Sequence, residues 1–227
     1  MDGWVDNFVE QQAHAWQEIV AQMRKEPMFN LINGASVNGP GSSLEYTKNL
    51  REQLPDLIHR YNITTMVDAP CGDFTWMQHT DIFTTLHSYI GYDVDAEIIK
   101  TNRAKYRQWR NVGFARSNLL TRKKWPHVDL ILCRDFLAHL PNEYILEMVE
   151  KFRASGSRYL LASNYPGTHN EFTYDPEQVD APWLGYMERP HDLTKEPFWL
   201  HQIDAIPEQS PPGGVIARQH ELALFQL

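Results

Sequence analysis

Asp68, Gly72, Asp73 and Asp93 have the types and spacing to hold a ligand. Asp68 closes the apolar run "TTMVDA". Gly72 and Asp73 follow in a Pro-Cys-Gly turn, and Asp93 closes a second apolar run, "SYIGYDV". A dinucleotide pyrophosphate is held by a turn of the form G-x-G-x-x-G opening a helix. Here "DAPCGD" has one glycine, and Asp73 would face the phosphates with like charge. A ligand with an adenosine, no phosphate and a cationic end suits the turn better. Asp68 would take its amino group, directly or through water, and Gly72 would let the backbone come close. Asp93 stands at the spacing where an acid takes ribose hydroxyls in nucleotide-binding sheets. Asn118 and Leu119, after a third strand, would face the adenine. Each acid alone is an ordinary cap or turn residue; the joint register with strand ends carries the reading.

The elements that must position these residues alternate along the chain. "TTMVDA", "SYIGYDV", "NVGFARS", "HVDLILCRD" and "SRYLLASNY" read as strands, the fourth being the most apolar and so central. A helix starts at Asp95, a good cap, with Ile98, Ile99, Asn102, Tyr106 and Trp109 along it. Another opens at Pro141-Asn142, with Tyr144, Ile145, Met148, Val149 and Phe152 on one face. Before them, Ser42-Ser43-Leu44-Glu45 has capping-box spacing and leads a helix bearing Leu50, Leu54, Leu57 and Ile58, with Pro55 as a kink. Such alternation predicts crossover units and a largely parallel α/β sheet, with ligands beyond the carboxyl ends of its strands. The tail "GGVIARQHELALFQL" reads as a turn and a last strand, ending the sheet in a hairpin. A stripe from Asp6 to Arg24 predicts an amphipathic helix for packing, or alternatively a lid or the contact of a homodimer.

Composition narrows the classes. The 227 residues carry 21 basic and 29 acidic side chains, a formal net charge of -8, and "TRKKW" is the longest basic run. That excludes a broad nucleic-acid footprint, while one or two arginines suffice for a small anion. The two cysteines, Cys71 and Cys133, make no disulfide framework; both are read as turn residues that shape the backbone. No apolar run approaches a membrane span, and the first residues lack the pattern of a signal peptide, so a cytoplasmic protein is expected. His169, His191 and His201 lack a compact ligand spacing, and no metal is expected.

"MVDAPCGDFTWM", "YIGYDVD", "ARSNLL" and "DLILCRDFLAHLP", in that order, resemble class I S-adenosylmethionine-dependent methyltransferases. S-adenosylmethionine, with its cationic amino and sulfonium groups, is the ligand described above. Within the class the chain resembles a bacterial subgroup associated with capsule and lipopolysaccharide gene clusters. It shares "GPGSS", "DAPCGDF-W", "CRD---HL", and the later "NEF", "ERPHDL" and "EPF". The resemblance implies a Rossmann-like, mostly parallel seven-stranded sheet with a C-terminal antiparallel hairpin strand. The chain is expected to divide into an N-terminal helical extension and lid over 1–60, a cofactor-binding core over 61–165, and a substrate-binding loop insertion with terminal strands of the same domain over 166–227. Pro70 and Phe74 stand where the general class has glycines, which moves the cofactor contacts onto the backbone of Cys71, Gly72, Asp73 and Phe74. Val94 and Arg134 complete the cofactor set that the resemblance implies.

Methyl transfer from a sulfonium is an in-line displacement, so the chain's main task is to position and orient the nucleophile. A hydroxyl nucleophile also profits from a base. His139 and Asp135, just past the fourth strand, are the catalytic candidates: His139 as base or a packed turn residue, Asp135 as base, orienter, substrate ligand or partner of Arg134. Arg189 suits an anionic or polar acceptor group. Asn164 and Asn170 flank a loop over the site, and Asp192 completes the expected acceptor set. Trp76, Trp183, Tyr186 and Trp199 would wall it. The expected acceptor is a small sugar or phosphorylated metabolite methylated on oxygen. The alternatives are nitrogen methylation and a catalytically silent cofactor-binding protein.

Overall fold

The computed structural model describes residues 36, 38, 40–170, 190–208 and 220–227. Seven strands form one sheet: β1 (Thr65–Asp68), β2 (Ser88–Asp93), β3 (Val112–Arg116), β4 (Leu130–Cys133), β5 (Tyr159–Asn164), β6 (His201–Glu208) and β7 (His220–Gln226). Their spatial order is β3-β2-β1-β4-β5-β7-β6. The first five run parallel, and β7 lies antiparallel between β5 and β6. This is the mostly parallel sheet with a terminal hairpin that the sequence predicts.

The strands are apolar on both faces because both faces are covered. Met66, Leu130, Leu132, Leu161, Leu222 and Leu224 belong to one core, with Leu50, Leu54, Leu57 and Ile58 of helix α1 (Lys48–Arg60) and Ile99 of α2 (Ala96–Lys105). Their neighbours Val67, Ile131, Cys133, Leu160, Ala162, Ala223 and Phe225 belong to the other, with Ile145, Met148, Val149 and Phe152 of α3 (Asn142–Ala154). The alternation follows the two-residue period of a strand. The boundary expected at residue 60 separates no two cores, since α1 packs in the same core as β1, β4 and β5.

Local details differ from expectation in three places. The capping box does not open α1: regular helix begins at Lys48, after a 3-10 turn over Pro40–Ser42 and a turn in which Ser43 Oγ accepts from Tyr46 N–H at 3.4 Å. Helix α1 then runs through Pro55. Helix α2 starts as predicted, with Asp95 Oδ1 accepting from the N–H groups of Glu97 and Ile98, but it stops at Lys105, before Trp109. Cys133 is the last residue of β4 and not a turn residue. The expected helix over Asp6–Arg24 lies outside the described residues. No described helix is long and apolar enough to cross a membrane.

Candidate cofactor and acceptor site

The carboxyl ends of β1 and β2 bring Asp68 and Asp93 to either side of the turn at Cys71–Phe74. Parallel pairing sets this register, with Asp68 opposite Gly91. Cys71 N–H reaches Tyr92 carbonyl at 2.9 Å, which draws the turn across the top of β2. Gly91 makes room: a Cβ there would lie 2.8 Å from the Cys71 sulfur. Gly72 has φ +52°, the left-handed region that suits glycine. Its N–H donates to Asp93 Oδ2 at 3.0 Å, and its carbonyl accepts from Asn102 Nδ2 at 2.8 Å. Asn102, which the helical pattern places on a packing face, is thus an α2 clamp on the turn.

Two residues before α1 close the turn from outside. Asn38 Oδ1 accepts from Asp73 N–H at 2.8 Å, and Ser36 Oγ donates to Asp73 Oδ2 at 2.9 Å. Asp73 Oδ1 accepts from Thr75 N–H, so Asp73 shapes the turn as well as charging it. Sequence reasoning missed Ser36 and Asn38, because no spacing rule links them to a turn more than thirty positions away.

The two strand-end acids are buried: Asp68 is 3% exposed and Asp93 6%. Burial raises Asp68 to about 7, against a hydrogen bond from Tyr89 Oη at 2.5 Å that pulls it down; the Asp93 charge adds to the rise and Arg134 opposes it. Burial also raises Asp93, offset by the N–H groups of Asp95 and Gly72. Asp93 accepts those two bonds, one on each oxygen. A carboxylate has about four acceptor sites, so capacity for a diol remains. The residues therefore fit the adenosyl ligand: buried acids at two adjacent strand ends, a left-handed glycine between them, and no phosphate cradle.

The other cofactor candidates are more occupied. Phe74 puts its backbone in the turn, with φ 62°, but its ring is 1% exposed at the centre of an aromatic cluster with Phe83, Tyr89, Tyr106, Trp109 and Phe114. Asn118 Oδ1 accepts from Leu120 N–H and holds the turn after β3. Leu119 is buried in the core with Tyr92 and Trp125. Val94 offers its carbonyl to Arg116 Nε at 3.0 Å. Burial pushes both cysteine thiols up, consistent with structural cysteines.

Arg134 corrects the expectation of a cofactor ligand. Its side chain is 7% exposed and its guanidinium is fully engaged: Nε to Glu208 Oε1 at 2.8 Å, Nη1 to Asp135 Oδ2 at 3.0 Å and Nη2 to Gly41 carbonyl at 3.0 Å. It ties β4 to β6 and to the turn before α1. Asp135, at φ 52°, exchanges hydrogen bonds with Ser163: its N–H donates to Oγ, and Oγ donates to its Oδ1. Burial would raise its carboxyl, but the Arg134 charge and the Ser163 bond hold it below the usual value. That disfavours Asp135 as a base and leaves orienting and acceptor binding. His139 ends a 3-10 turn over Leu137–His139, half-buried and within electrostatic reach of Asp135.

The acceptor-side candidates turn out to hold the chain together. Asn164 Oδ1 accepts from Leu193 N–H, and its Nδ2 meets Glu221. Asn170 Nδ2 donates to the carbonyls of Asp192 and Glu196, while its Oδ1 accepts from Asp192 N–H. Asp192 accepts from Gly167 N–H and from Thr194. All three are at most 8% exposed, so these side chains fix the segment after β5 against the start of β6. Arg189, Trp183 and Tyr186 lie outside the described residues. Trp76 is buried beside Arg134, and Trp199 is 66% exposed. Among the described residues no group of three or more His, Cys, Asp or Glu is placed to hold a metal ion. Glu208 and His220, which the sequence reading did not single out, stand at this end of the sheet.

Neither a protein-family model nor a curated protein matches the chain by sequence. Solved structures do match its fold. A SAM-dependent methyltransferase of Leishmania major aligns with a TM-score of 0.65 at 11% identity, over 92% of this chain and 82% of its own. N-methyltransferase NodS of Bradyrhizobium japonicum WM9, in complex with S-adenosyl-L-homocysteine, gives 0.61 at 12% identity over 92% and 96%. Magnesium protoporphyrin IX methyltransferase of Synechocystis PCC 6803, with bound SAM, gives 0.53 at 10% identity over 79% and 80%. The chain has the Rossmann-like fold of the S-adenosylmethionine-dependent methyltransferases.

Proposed function

We propose that the protein is an S-adenosylmethionine-dependent methyltransferase acting on a small polar acceptor, with oxygen of a sugar or phosphorylated metabolite as nucleophile. The observation that carries the cofactor reading is the pair of buried acids, Asp68 and Asp93, flanking the left-handed Gly72 at adjacent strand ends. Asp68 would hold the cationic amino group, Asp93 the ribose hydroxyls, and the Cys71–Phe74 backbone would line the ligand. The bound cofactor supplies an electrophilic methyl group. The chain must then exclude water, orient the acceptor and accept its proton. Asp135, held ionised by Arg134, is suited to orienting an acceptor hydroxyl or a nearby imidazole. His139 remains a candidate base, and Arg189 the candidate anchor for an anionic acceptor. The capsule and lipopolysaccharide subgroup supplies the sugar reading through its shared motifs.

A second reading is methylation of an amine. The described acceptor end carries Asp135 and Glu208, while the one arginine between them is already paired, a setting that suits a donor-rich acceptor. Calorimetric titration with S-adenosylmethionine and S-adenosylhomocysteine tests the cofactor. Micromolar binding is expected for the wild type and none for Asp93→Ala. Absence of binding to both ligands in the folded wild type sinks the proposal. Formation of S-adenosylhomocysteine across a panel of nucleotide sugars, sugar phosphates and small amines then separates the two acceptor readings.

A further inference from the structure

We propose that the edge of the sheet at β3 is a docking surface for the phosphate backbone of a nucleic-acid duplex. The inference does not rest on the methyltransferase reading. Residues 96–124 hold nine of the chain's 21 basic side chains and one of its 29 acidic ones, Glu97. The rest of the chain is strongly acidic, so the whole-chain balance that argues against a broad nucleic-acid footprint conceals a narrow one. The fold gathers these residues at one edge, because β3 pairs with β2 alone and α2 packs beside both. Lys100 and Arg103 stand on α2, and Arg107 and Arg110 between α2 and β3. Arg116 ends β3. The loop after it carries Arg122, whose Nη1 donates to Ser117 Oγ at 3.2 Å, and the exposed Lys123 and Lys124.

Between α2 and β3 runs a groove of about 500 Å³, lined by Ala96, Ile99 and Ala104 together with Lys100, Arg103 and Arg116. Arg103 Nε donates to the Phe114 carbonyl at 2.7 Å, and Arg116 Nε to the Val94 carbonyl at 3.0 Å. Each guanidinium is thus anchored through one nitrogen, and neither has an ion-pair partner among the described residues. Their Nη groups remain to grip an oxyanion. Several observations select a duplex backbone. A bilayer is flat and does not enter a groove, and membrane contacts are anchored by exposed apolar side chains. The large ones exposed among the described residues, Leu146 and Trp199, lie on α3 and before β6. Protein interfaces are poor in lysine, whereas four of these nine cations are lysines. Single strands are held by stacking on exposed aromatics. Here Tyr106, Phe114 and Trp125 are buried, and Trp109 packs on Phe74 and Phe83. Backbone phosphates ask only for clustered cations. Blunting the edge against an added strand accounts for Arg103 on Phe114, but not for Arg107, Arg110, Lys123 and Lys124, which lie outside the ladder. The acidic remainder of the chain repels a polyanion and so steers it onto this edge.

Fluorescence anisotropy on the full chain tests this, with short labelled DNA duplexes of two unrelated sequences. Both are expected to bind equally, with micromolar Kd at low salt, and log Kd is expected to rise linearly with log salt. Lys100→Gln/Arg103→Gln removes two contacts from one side of the edge, and Lys123→Gln/Lys124→Gln removes two from the other. Each should weaken binding about tenfold and lower the salt slope by about 2. Lys123 and Lys124 are exposed, so that pair serves if loss of the Arg103 anchor disturbs the fold. Lys48→Gln/Arg153→Gln removes the same charge from α1 and α3 and should leave Kd unchanged. No duplex binding by the wild type at low salt overturns the proposal. Equal weakening by the control pair does so as well, since it traces binding to net charge. Two further outcomes also overturn it. Tighter binding to phosphatidylglycerol vesicles, lost in the same edge variants, would assign the surface to a membrane. Displacement by poly-glutamate as effective as by unlabelled duplex would remove the preference for phosphate.

Discussion

Asp68 is the residue where cofactor and pH meet. In the folded chain it keeps its proton up to about pH 7, against 3.8 as the ordinary value, because burial penalises the charge. A cationic amino group bound there favours the ionised form, so binding below pH 7 must expel a proton. The affinity for S-adenosylhomocysteine should therefore be about tenfold weaker at pH 6 than at pH 8, and calorimetry at both values should show proton release only at the lower. Asp68→Asn should bind weakly with no such dependence; an unchanged pH dependence in that variant would remove Asp68 from the site. Folding stability has the opposite trend. Between pH 4 and 7 Asp68 holds a proton in the folded chain that it has lost in the unfolded chain, so its contribution is greatest at low pH and is lost as pH rises through 7. Urea midpoints of wild type and Asp68→Asn should diverge across that window. Asp68, Gly72 and Asp93 were legible in the sequence because each follows an apolar run and parallel pairing turns such endings into neighbours. Glu208 was not, since it is 74 positions from the arginine that explains it. Asn164, Asn170 and Asp192 show the limit of such reading: a polar side chain near a strand end looks the same in sequence whether it meets a ligand or a backbone group, and these three meet backbone groups.

At the scale of elements, Arg134 joins parts that the ladder alone does not. Its three arms reach Glu208 at the end of β6, Asp135 after β4, and Gly41 in the turn before α1. Replacing it with methionine keeps much of the volume but strands Glu208 at 1% side-chain exposure. Removing one partner of a buried pair costs about 3–5 kcal/mol. Urea denaturation should show Arg134→Met destabilised by that amount, and Arg134→Met/Glu208→Met recovering most of it; a loss below 1 kcal/mol would make the network incidental. The strands β1 to β5 could be read from sequence since burial on both faces writes them as apolar runs. β6 could not. "HQIDAIPE" is an edge strand with a register shift between Gln202 and Asp204 and a proline at 207, so it shows neither an apolar run nor strict alternation. The overlong reading of α2 has a similar source: Trp109 keeps the helical spacing but packs its ring on Phe74 and Phe83 from beyond the helix end.

For the whole molecule, the question is whether the segment up to residue 60 is an extension or part of the core. Leu54, Leu57 and Ile58 of α1 are fully buried and share a core with Leu132 of β4 and Leu161 of β5. Those strands present their alternate residues to the opposite core beneath α3. A local opening of α1 would expose the face of the sheet it covers, so its interior amides should exchange only by the unfolding that also frees β4 and β5. Hydrogen exchange followed by mass spectrometry tests this, with peptides spanning Leu50–Ile58 and Leu160–Ser163 expected to reach the same limiting protection. The ligand supplies the decisive control. S-adenosylhomocysteine at 100 times its Kd stabilises the folded state by about 2.7 kcal/mol, which slows globally limited exchange about 100-fold. That factor should appear equally in both peptides. A slowing confined to the sheet would show α1 opening on its own, and the boundary at residue 60 would then mark a separable unit after all.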